Sequence, residues 1–106
     1  MTKPVLLYDI AHARSGDKGN LLNISLICYD AANFPIISEQ ITADRVKHLF
    51  AKHQPSKVER YDLPRLAAFN FVLHDVLQGG VNSSLGLDGH GKSLSFYLLE
   101  TEIFLP

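Results

Sequence analysis

The pattern of apolar and polar residues along the chain predicts a mixture of strands and helices. An apolar run from Val5 to Ala11 indicates one strand, and a run from Leu21 to Tyr29 indicates a second. Side chains of the second run alternate with the period of two that is typical of a strand with one buried face. We expect the other face to meet solvent, a partner or a binding site. The predicted core face holds Leu22, Ile24, Leu26 and Cys28, and the other holds Leu21, Asn23, Ser25, Ile27 and Tyr29.

The middle of the chain is predicted to form a helix and then a strand. A predicted loop contains Phe34-Pro35, after which Thr42 can cap a helix from about Ala43 to Lys52. Apolar residues recur within that segment at the spacing of one helical face. Charged and apolar residues then alternate over Lys57–Leu63, which predicts a third, half-buried strand.

A second helix is predicted from Pro64 to about Gln78, where Gly79 suits a left-handed C-terminus. It is apolar around most of its circumference, as is typical of a helix buried on more than one side. Asn70 and His74 lie four residues apart and would share one face. They either bond each other or nearby backbone and fix the packing, or face a cavity. In a cavity His74 would act as an acid or base, with Asn70 orienting it.

The last third of the chain is predicted to contain short elements. Residues Ser83–Asp88 indicate a short strand and Gly89–Gly91 a turn. Residues Lys92–Leu99 fit either a helix or the start of a long strand, and Glu100–Leu105 an edge strand. Strands and helices thus mix without regular alternation, which favours an α+β fold with an antiparallel or mixed sheet. A chain of 106 residues fits one domain, residues 1–106.

Composition narrows the classes of function. Ten basic residues against eleven acidic ones give a net charge of −1, which argues against a nucleic-acid-binding role. No apolar stretch approaches the roughly 20 residues that cross a membrane, and no secretory signal is recognisable. We therefore expect a cytoplasmic protein without a membrane partner. The single cysteine, Cys28, lies in an apolar run and is expected to be buried and unreactive.

The stretch His12–Asn20 is the most unusual in the chain and is predicted to be a long loop between the first two strands. Gly16 and Gly19 favour positive-φ turns that direct backbone N–H groups to one point. Two cations beside such amides predict a site for a carboxylate or phosphate. Alternatively, an internal salt bridge only shapes the turn. The charged residues concerned are Arg14, Asp17 and Lys18.

Other chemistries are less well supported by the residues. The stretch does not match a phosphate-binding loop and leads into a strand instead of a helix. The five histidines show no metal-ligand spacing, so neither a metal nor a cofactor is expected. Ser15, His74 and Asp17 could be drawn as a catalytic triad, but Ser15 does not stand in a nucleophile-elbow motif.

Four motifs occur together in this chain. H-A-R-S-G-D-K-G-N at 12–20 is followed by V-E-R-Y-D-L-P at 58–64, N-F-V-L-H at 70–74 and G-G-V at 79–81. They resemble the AtuA-like domain, the small C-terminal module of the acyclic terpene utilisation protein AtuA, over almost the whole sequence. The matching motif positions are His12, Arg14, Ser15, Gly16, Asp17, Lys18, Gly19, Asn23, Asn70, His74, Gly79 and Gly80.

The resemblance has implications for fold and setting. It implies a ferredoxin-like α+β fold, a two-layer sandwich in which the sheet packs on two or three helices. It also implies a setting of acyclic terpene or acyl-CoA catabolism and association with a larger AtuA-type chain. It does not supply a defined reaction.

Three functions follow from these observations. The first is an accessory module that binds a small anionic ligand, a carboxylate or acyl-CoA-like compound, through residues 12–20 with Asn70 and His74 nearby. The second is an assembly domain that forms a homo-oligomer or joins an AtuA-type chain through its sheet or the edge segment Ile103–Leu105. The third is a stand-alone enzyme. Its general base would be His74 or His12, assisted by Asp17 or Lys18.

Overall fold

The computed structural model describes residues 2–18, 21–76 and 92–106, with backbone alone for residues 17, 18 and 92–94. These residues form short helices and antiparallel strands. In chain order the elements are β1 (Lys3–Leu6), α1 (Leu7–Ile10), β2 (Ala11–Lys18), β3 (Leu21–Cys28), α2 (Phe34–Gln40), α3 (Ala43–Leu49), β4 (Lys57–Leu63), β5 (Ala68–His74), α4 (Lys92–Leu99) and β6 (Glu102–Leu105).

The strands form two antiparallel sheets. Among the described strands, the main sheet has the order β2-β3-β5-β4, so β3 and β5 are central and β2 and β4 are edges. A second sheet pairs β1 with β6, from Lys3 opposite Leu105 to Leu6 opposite Glu102. The predicted α+β class is therefore confirmed, with antiparallel pairing. The described residues hold four helices where two or three were expected, although α1 is a single turn.

The core lies between one face of the main sheet and the helices. Phe69, Phe71 and Leu73 of β5 are fully buried there, because alternate residues of a strand point to the same side. The helices contribute one or two buried apolar residues each, which places them on that side of the sheet. The buried apolar residues of the helices are Leu7, Ile37, Val46, Leu98 and Leu99.

Strand β3 and helix α3 match their predictions closely. The four residues of the predicted core face of β3 are buried, and the alternate residues are exposed or half-buried. Thr42 caps α3, where its Oγ1 accepts a hydrogen bond from the N–H of Arg45 at 3.1 Å. The α-helix ends at Leu49 instead of Lys52, and a 3₁₀ turn follows over Ala51–His53.

The predictions of the first strand and of the loop after it are wrong. The run Val5–Ala11 is divided among β1, the single turn α1 and the start of β2. Residues 11–18 are not a loop but strand β2, which pairs with β3 from Ala11 opposite Cys28 to Lys18 opposite Leu21. Backbone hydrogen bonding to β3 offsets the weak strand preference of these polar residues.

The second predicted helix is also wrong. Pro64–Leu66 form one 3₁₀ turn, which Ala67 ends with a left-handed φ of 49°, and β5 follows. Alternation decides the outcome, because Phe69 and Phe71 fit a half-buried pleated surface between β3 and β4.

The segment around Phe34-Pro35 was expected to be a loop and is helix α2 instead. Its proline stands in the first turn, where a missing N–H costs no hydrogen bond. Lys92–Leu99 takes the helical alternative as α4, and the expected final strand is the shorter β6. Gln78, Gly79, Gly80 and the predicted strand and turn over 83–91 lie outside the described residues. No helix in the described ranges has the length and apolarity needed to cross a membrane.

Candidate functional site

One face of the main sheet, the side opposite the helices, is not covered by any helix or strand of the described ranges, and we call it the open face. Its side chains form rows across the four strands, because each residue is paired in register with the next strand. Arg14 is opposite Ser25, Ser25 is opposite Asn70, and Asn70 is opposite Tyr61. By this register the open face carries His12, Arg14, Gly16, Leu21, Asn23, Ser25, Ile27, Lys57, Glu59, Tyr61, Leu63, Ala68, Asn70, Val72 and His74.

Most of the predicted site residues belong to this open face. They come from three different strands. Ser15 is an exception, since it alternates with Arg14 and is paired with the buried Ile24. Among the backbone-only positions, Asp17 is opposite Leu22 and Lys18 is opposite Leu21; Gly19 lies outside the described residues. The predicted residues on the open face are His12, Arg14, Gly16, Asn23, Asn70 and His74.

The expected cradle of loop amides is absent from the described residues. Gly16 lies in the extended strand β2, and a Cβ built on it would meet no atom within 4 Å. A positive φ therefore does not explain why residue 16 is a glycine. The backbone N–H groups of β2 belong to a strand instead of converging on one point. An anion on this face would have to be bound by side chains.

Asn70 and His74 share a face, as expected, but they do not form a pair. On a strand, four residues span roughly 13 Å, whereas helical neighbours would be only about 5–6 Å apart. Asn70 Oδ1 instead accepts a hydrogen bond from Ser25 Oγ at 3.3 Å. Asn70 therefore belongs to the middle of the open face and His74 to one end, so Asn70 does not orient His74.

Glu59 is the partner of His74. His74 Nε2 lies 2.8 Å from Glu59 Oε1, and each side chain is about 30% exposed. The hydrogen bond from His74 holds the pKa of the Glu59 carboxyl below its usual value, and Lys57, with Nζ at 3.4 Å from Oε2, acts in the same direction. Glu59 was not among the site residues predicted from the sequence. The alternation of Lys57–Leu63 puts it on one face of β4, but its place beside His74 depends on the register with β5.

Arg14 provides an exposed positive charge on the edge strand β2. Among the described residues it makes no hydrogen bond or ion pair with another side chain. The next row of the open face is apolar and contains Ile27, Ala68 and Leu63. Rows two residues apart are separated by about 7 Å along the strands. Ala68, in the middle of this row, is 3% exposed, so the accessible apolar surface near the guanidinium belongs to Ile27 and Leu63. These two residues lie about 10 Å apart, given the usual strand spacing.

His12 ends the apolar row at the β2 edge. Its ring stacks on that of Tyr29, with centroids 5.3 Å apart and planes inclined by 23°. Tyr29 is 65% exposed. In the described part of the chain no carboxylate contacts His12, so His74 is the only one of the two candidate bases with an acidic partner.

At the edge of β2, Ser15 lines a cleft of about 290 Å³ with Ser95 and Phe96 of helix α4, and Ala13 and Arg14 of β2 complete the lining. Ser15 is thus on the opposite side of the sheet from His74, which rules out the Ser15–His74–Asp17 triad. Within the described ranges, no group of three or more His, Cys, Asp or Glu residues could hold a metal ion.

A family model described as the AtuA ferredoxin-like domain matches residues 5–104. No curated protein and no solved structure matches the chain.

Proposed function

From the chain's membership of the AtuA ferredoxin-like domain family, we propose that it is an accessory module that binds a small acyl carboxylate on its open face. The observation that carries this proposal is the adjacency of Arg14 to the apolar row Ile27, Ala68 and Leu63. Arginine binds carboxylates through two parallel hydrogen bonds, and apolar surface binds alkyl chains.

The dimensions of the face favour a medium-length chain. An alkyl chain lying across the apolar row would cover about 10 Å, roughly the width of two strand spacings. Tyr61 is 49% exposed and Leu63 is 41% exposed, so both have apolar surface available to such a chain. Asn70 and Ser25, opposite each other in the row of Arg14, add polar groups near the carboxylate end. An acyl-CoA thioester is a second form of the same ligand class.

The proposal predicts binding that depends on both the charge and the length of the ligand. Octanoate should raise the melting temperature more than butyrate, because it buries more apolar area. Octylamine should give no rise, since it would place a cation beside Arg14. Ligand at ten times its Kd adds about 1.4 kcal/mol of stability, which corresponds to about 5 °C or more for a domain of this size. Thermal unfolding with each compound measures these differences.

Two variants locate the binding site. Arg14→Ala should abolish the octanoate shift. Arg65→Ala is the matched control, because Arg65 is an exposed arginine in the 3₁₀ turn after β4 and outside the strands of the open face. Equal shifts for butyrate and octanoate, or an octanoate shift that survives in Arg14→Ala, would contradict the proposal.

Proton transfer is a second candidate function, favoured by the hydrogen bond between His74 and Glu59. A carboxylate that accepts from one ring nitrogen fixes the tautomer and leaves the other nitrogen as a base. In this function His74 acts as general base and Glu59 positions it. Turnover of an acyl substrate that is lost in His74→Ala and reduced in Glu59→Gln would support it. Unchanged turnover in His74→Ala would exclude it.

A further inference from the structure

We infer that the open face is the interface of a symmetric dimer, and that a second copy of this chain covers it. This inference goes beyond ligand binding and concerns the ligand-free chain. It rests on three features of the face: exposed apolar side chains, charges confined to the edges, and Arg14 on one edge strand with Glu59 on the other.

Several large apolar side chains on the open face are exposed to solvent. Leu21, Tyr61 and Leu63 are 38–49% exposed on it. Ile27 and Val72 are partly exposed between them. Antiparallel sheets bury such faces by packing about 10 Å from another sheet with strands nearly aligned.

Charged residues on the face occur only at its margins. The central strands β3 and β5 carry no Asp, Glu, Lys or Arg on this side; their polar residues there are Asn23, Ser25, Asn70 and, at the end of β5, His74. Burial of the middle of the face would therefore leave no lysine, arginine or carboxylate unpaired. A neutral centre with a charged rim is the usual composition of a protein interface.

The edge charges are arranged so that two copies complement each other. Arg14 lies on the β2 edge, and Glu59 lies on the β4 edge one row further along. A two-fold axis parallel to the strands and midway between β3 and β5 places each β2 edge over the partner's β4 edge. Arg14 of each copy then lies about 7 Å along the strand from the partner's Glu59, within reach of an arginine side chain.

Glu59 has capacity for this additional contact. Its carboxylate already accepts from His74, Lys57 and Tyr61, but a carboxylate has about four acceptor sites. Among the residues whose side chains the structure describes, the titratable groups on the face are His12, Arg14, Lys57, Glu59, Tyr61 and His74; the register adds the position of Lys18 at the end of β2. Lys57 repeats the positive charge on the β4 edge, so the Arg14–Glu59 contact supplies orientation more than affinity.

Charge reversal gives a test that loss of folding cannot imitate. Sedimentation velocity of the ligand-free chain should show a dimer that dissociates on dilution. Arg14→Glu alone should be monomeric, because both edge contacts of the dimer would then bring two carboxylates together. Glu59→Arg alone should be monomeric for the equivalent reason, with two guanidinium groups at each contact. An equimolar mixture of the two variants should restore a dimer. In the mixed dimer one contact joins the two substituted positions, whose charges are exchanged but still opposite, and the other contact joins the unsubstituted Arg14 and Glu59.

Three outcomes would overturn the inference. One is a wild-type chain that stays monomeric at high concentration, which would leave a different chain as the occupant of the face. Another is a dimer that both reversals leave intact. The third is folded single variants, as judged by circular dichroism, whose mixture stays monomeric.

A neutral pair of variants provides a second measurement if a reversed charge prevents folding. Tyr61→Ala should raise the dimer dissociation constant at least about tenfold, since tyrosine is a frequent interface anchor. Tyr8→Ala, which removes a ring of similar exposure from α1, should leave it unchanged. Equal dissociation constants for the two variants would exclude the open face. Because no ligand is added, failure here is separate from failure of octanoate binding.

Discussion

The hydrogen bond between His74 and Glu59 is the best-defined polar contact of the open face. Its two residues stand on neighbouring strands, β5 and β4, and each keeps about a third of its surface in solvent. The strands fix the separation of the two groups, and solvent reaches both without any rearrangement of the core.

Acid should weaken the fold through Glu59. Its pKa is lowered in the folded chain below the ordinary value of 4.5, chiefly by His74, so the folded state favours the ionised carboxylate. That contribution is present above the unfolded pKa and is lost as pH falls through the folded one. Glu59→Gln should therefore lose less stability than wild type between neutral pH and pH below about 4. Urea unfolding at dilute, monomeric concentration measures this difference.

Glu39→Gln is the control for that comparison. Glu39 is an exposed carboxylate on α2, outside the sheet. It should show the same acid sensitivity as wild type. Parallel stability curves for wild type and Glu59→Gln would show that the pair contributes nothing to the pH dependence.

The grouping of Asn70 with His74 could be predicted from the sequence, whereas their partners could not. A separation of four residues places two side chains on the same side of a helix and also of a strand, because four is close to one helical turn and is a multiple of two. The grouping therefore did not depend on the wrong element type. Ser25 and Glu59 become partners only through cross-strand register, which a single strand does not encode.

Among the secondary-structure elements, β6 is unusual because side chains occupy its second edge. Its first edge pairs with β1. On the other side, Gln40 donates from Nε2 to the carbonyl of Phe104 at 2.7 Å and accepts from the N–H of Phe104 at 2.8 Å. Arg45 donates to the carbonyl of Glu102 at 2.8 Å. The segment Ile103–Leu105 is thus not a free edge, so the sheet face is the better candidate for assembly.

Removal of the Gln40 amide should destabilise the chain and loosen β6. Gln40→Ala breaks both bonds to Phe104 and should cost about 1–2 kcal/mol, the net value of one or two hydrogen bonds. Chemical unfolding gives the cost, and amide exchange at Phe104 should become faster. Glu39→Ala, the exposed neighbour on the same helix, should change neither quantity. A loss below about 0.5 kcal/mol in Gln40→Ala would contradict this account.

Prediction of the elements failed where polar or small residues conceal the alternation. In β2 the helix side carries the small residues Ala11, Ala13 and Ser15, which allow α4 to pack close to this strand. Because these residues are small or polar, no apolar period of two is visible in the sequence. In β5 nearly every residue is apolar, and periodicity alone cannot separate a buried strand from a buried helix. By contrast, β3 has a strict alternation and was predicted correctly.

At the scale of the whole molecule, stability should be concentrated in the main sheet. Strands β3 and β5 are paired on both edges and supply much of the buried core. In the part of the chain that the structure describes, the β1–β6 sheet has two strands, and β1 has a single paired edge. Because exchange follows the free energy of local opening, we expect the slowest amides in β3 and β5 and faster ones in β1.

Native-state hydrogen exchange followed by mass spectrometry tests that order. Amide protons around Ile24 and Phe71 should exchange more slowly than those around Val5 at the same pH and temperature. Equal protection of all three would mean that the two sheets open as one cooperative unit.

The overall class and the family could be recognised from the sequence for different reasons. Periodicity indicated a mixture of helices and strands, and the motifs at 12–20, 58–64 and 70–74 indicated the family that the match over residues 5–104 confirms. Neither the periodicity nor the motifs indicate the order of the strands in the sheet. The order β2-β3-β5-β4, which turns scattered motif residues into one face, arises only from packing of the complete chain.

The one natural cysteine, Cys28, should react poorly with thiol-specific labels. It is the only cysteine of the chain, it is 7% exposed, and burial followed by the charge of Asp30 raises the pKa of its thiol. Alkylating reagents attack thiolates, so a cysteine introduced at an exposed position such as Asn23 would be labelled selectively without first replacing the natural one. A fluorophore or spin label attached there would report directly on whatever comes to lie against the sheet.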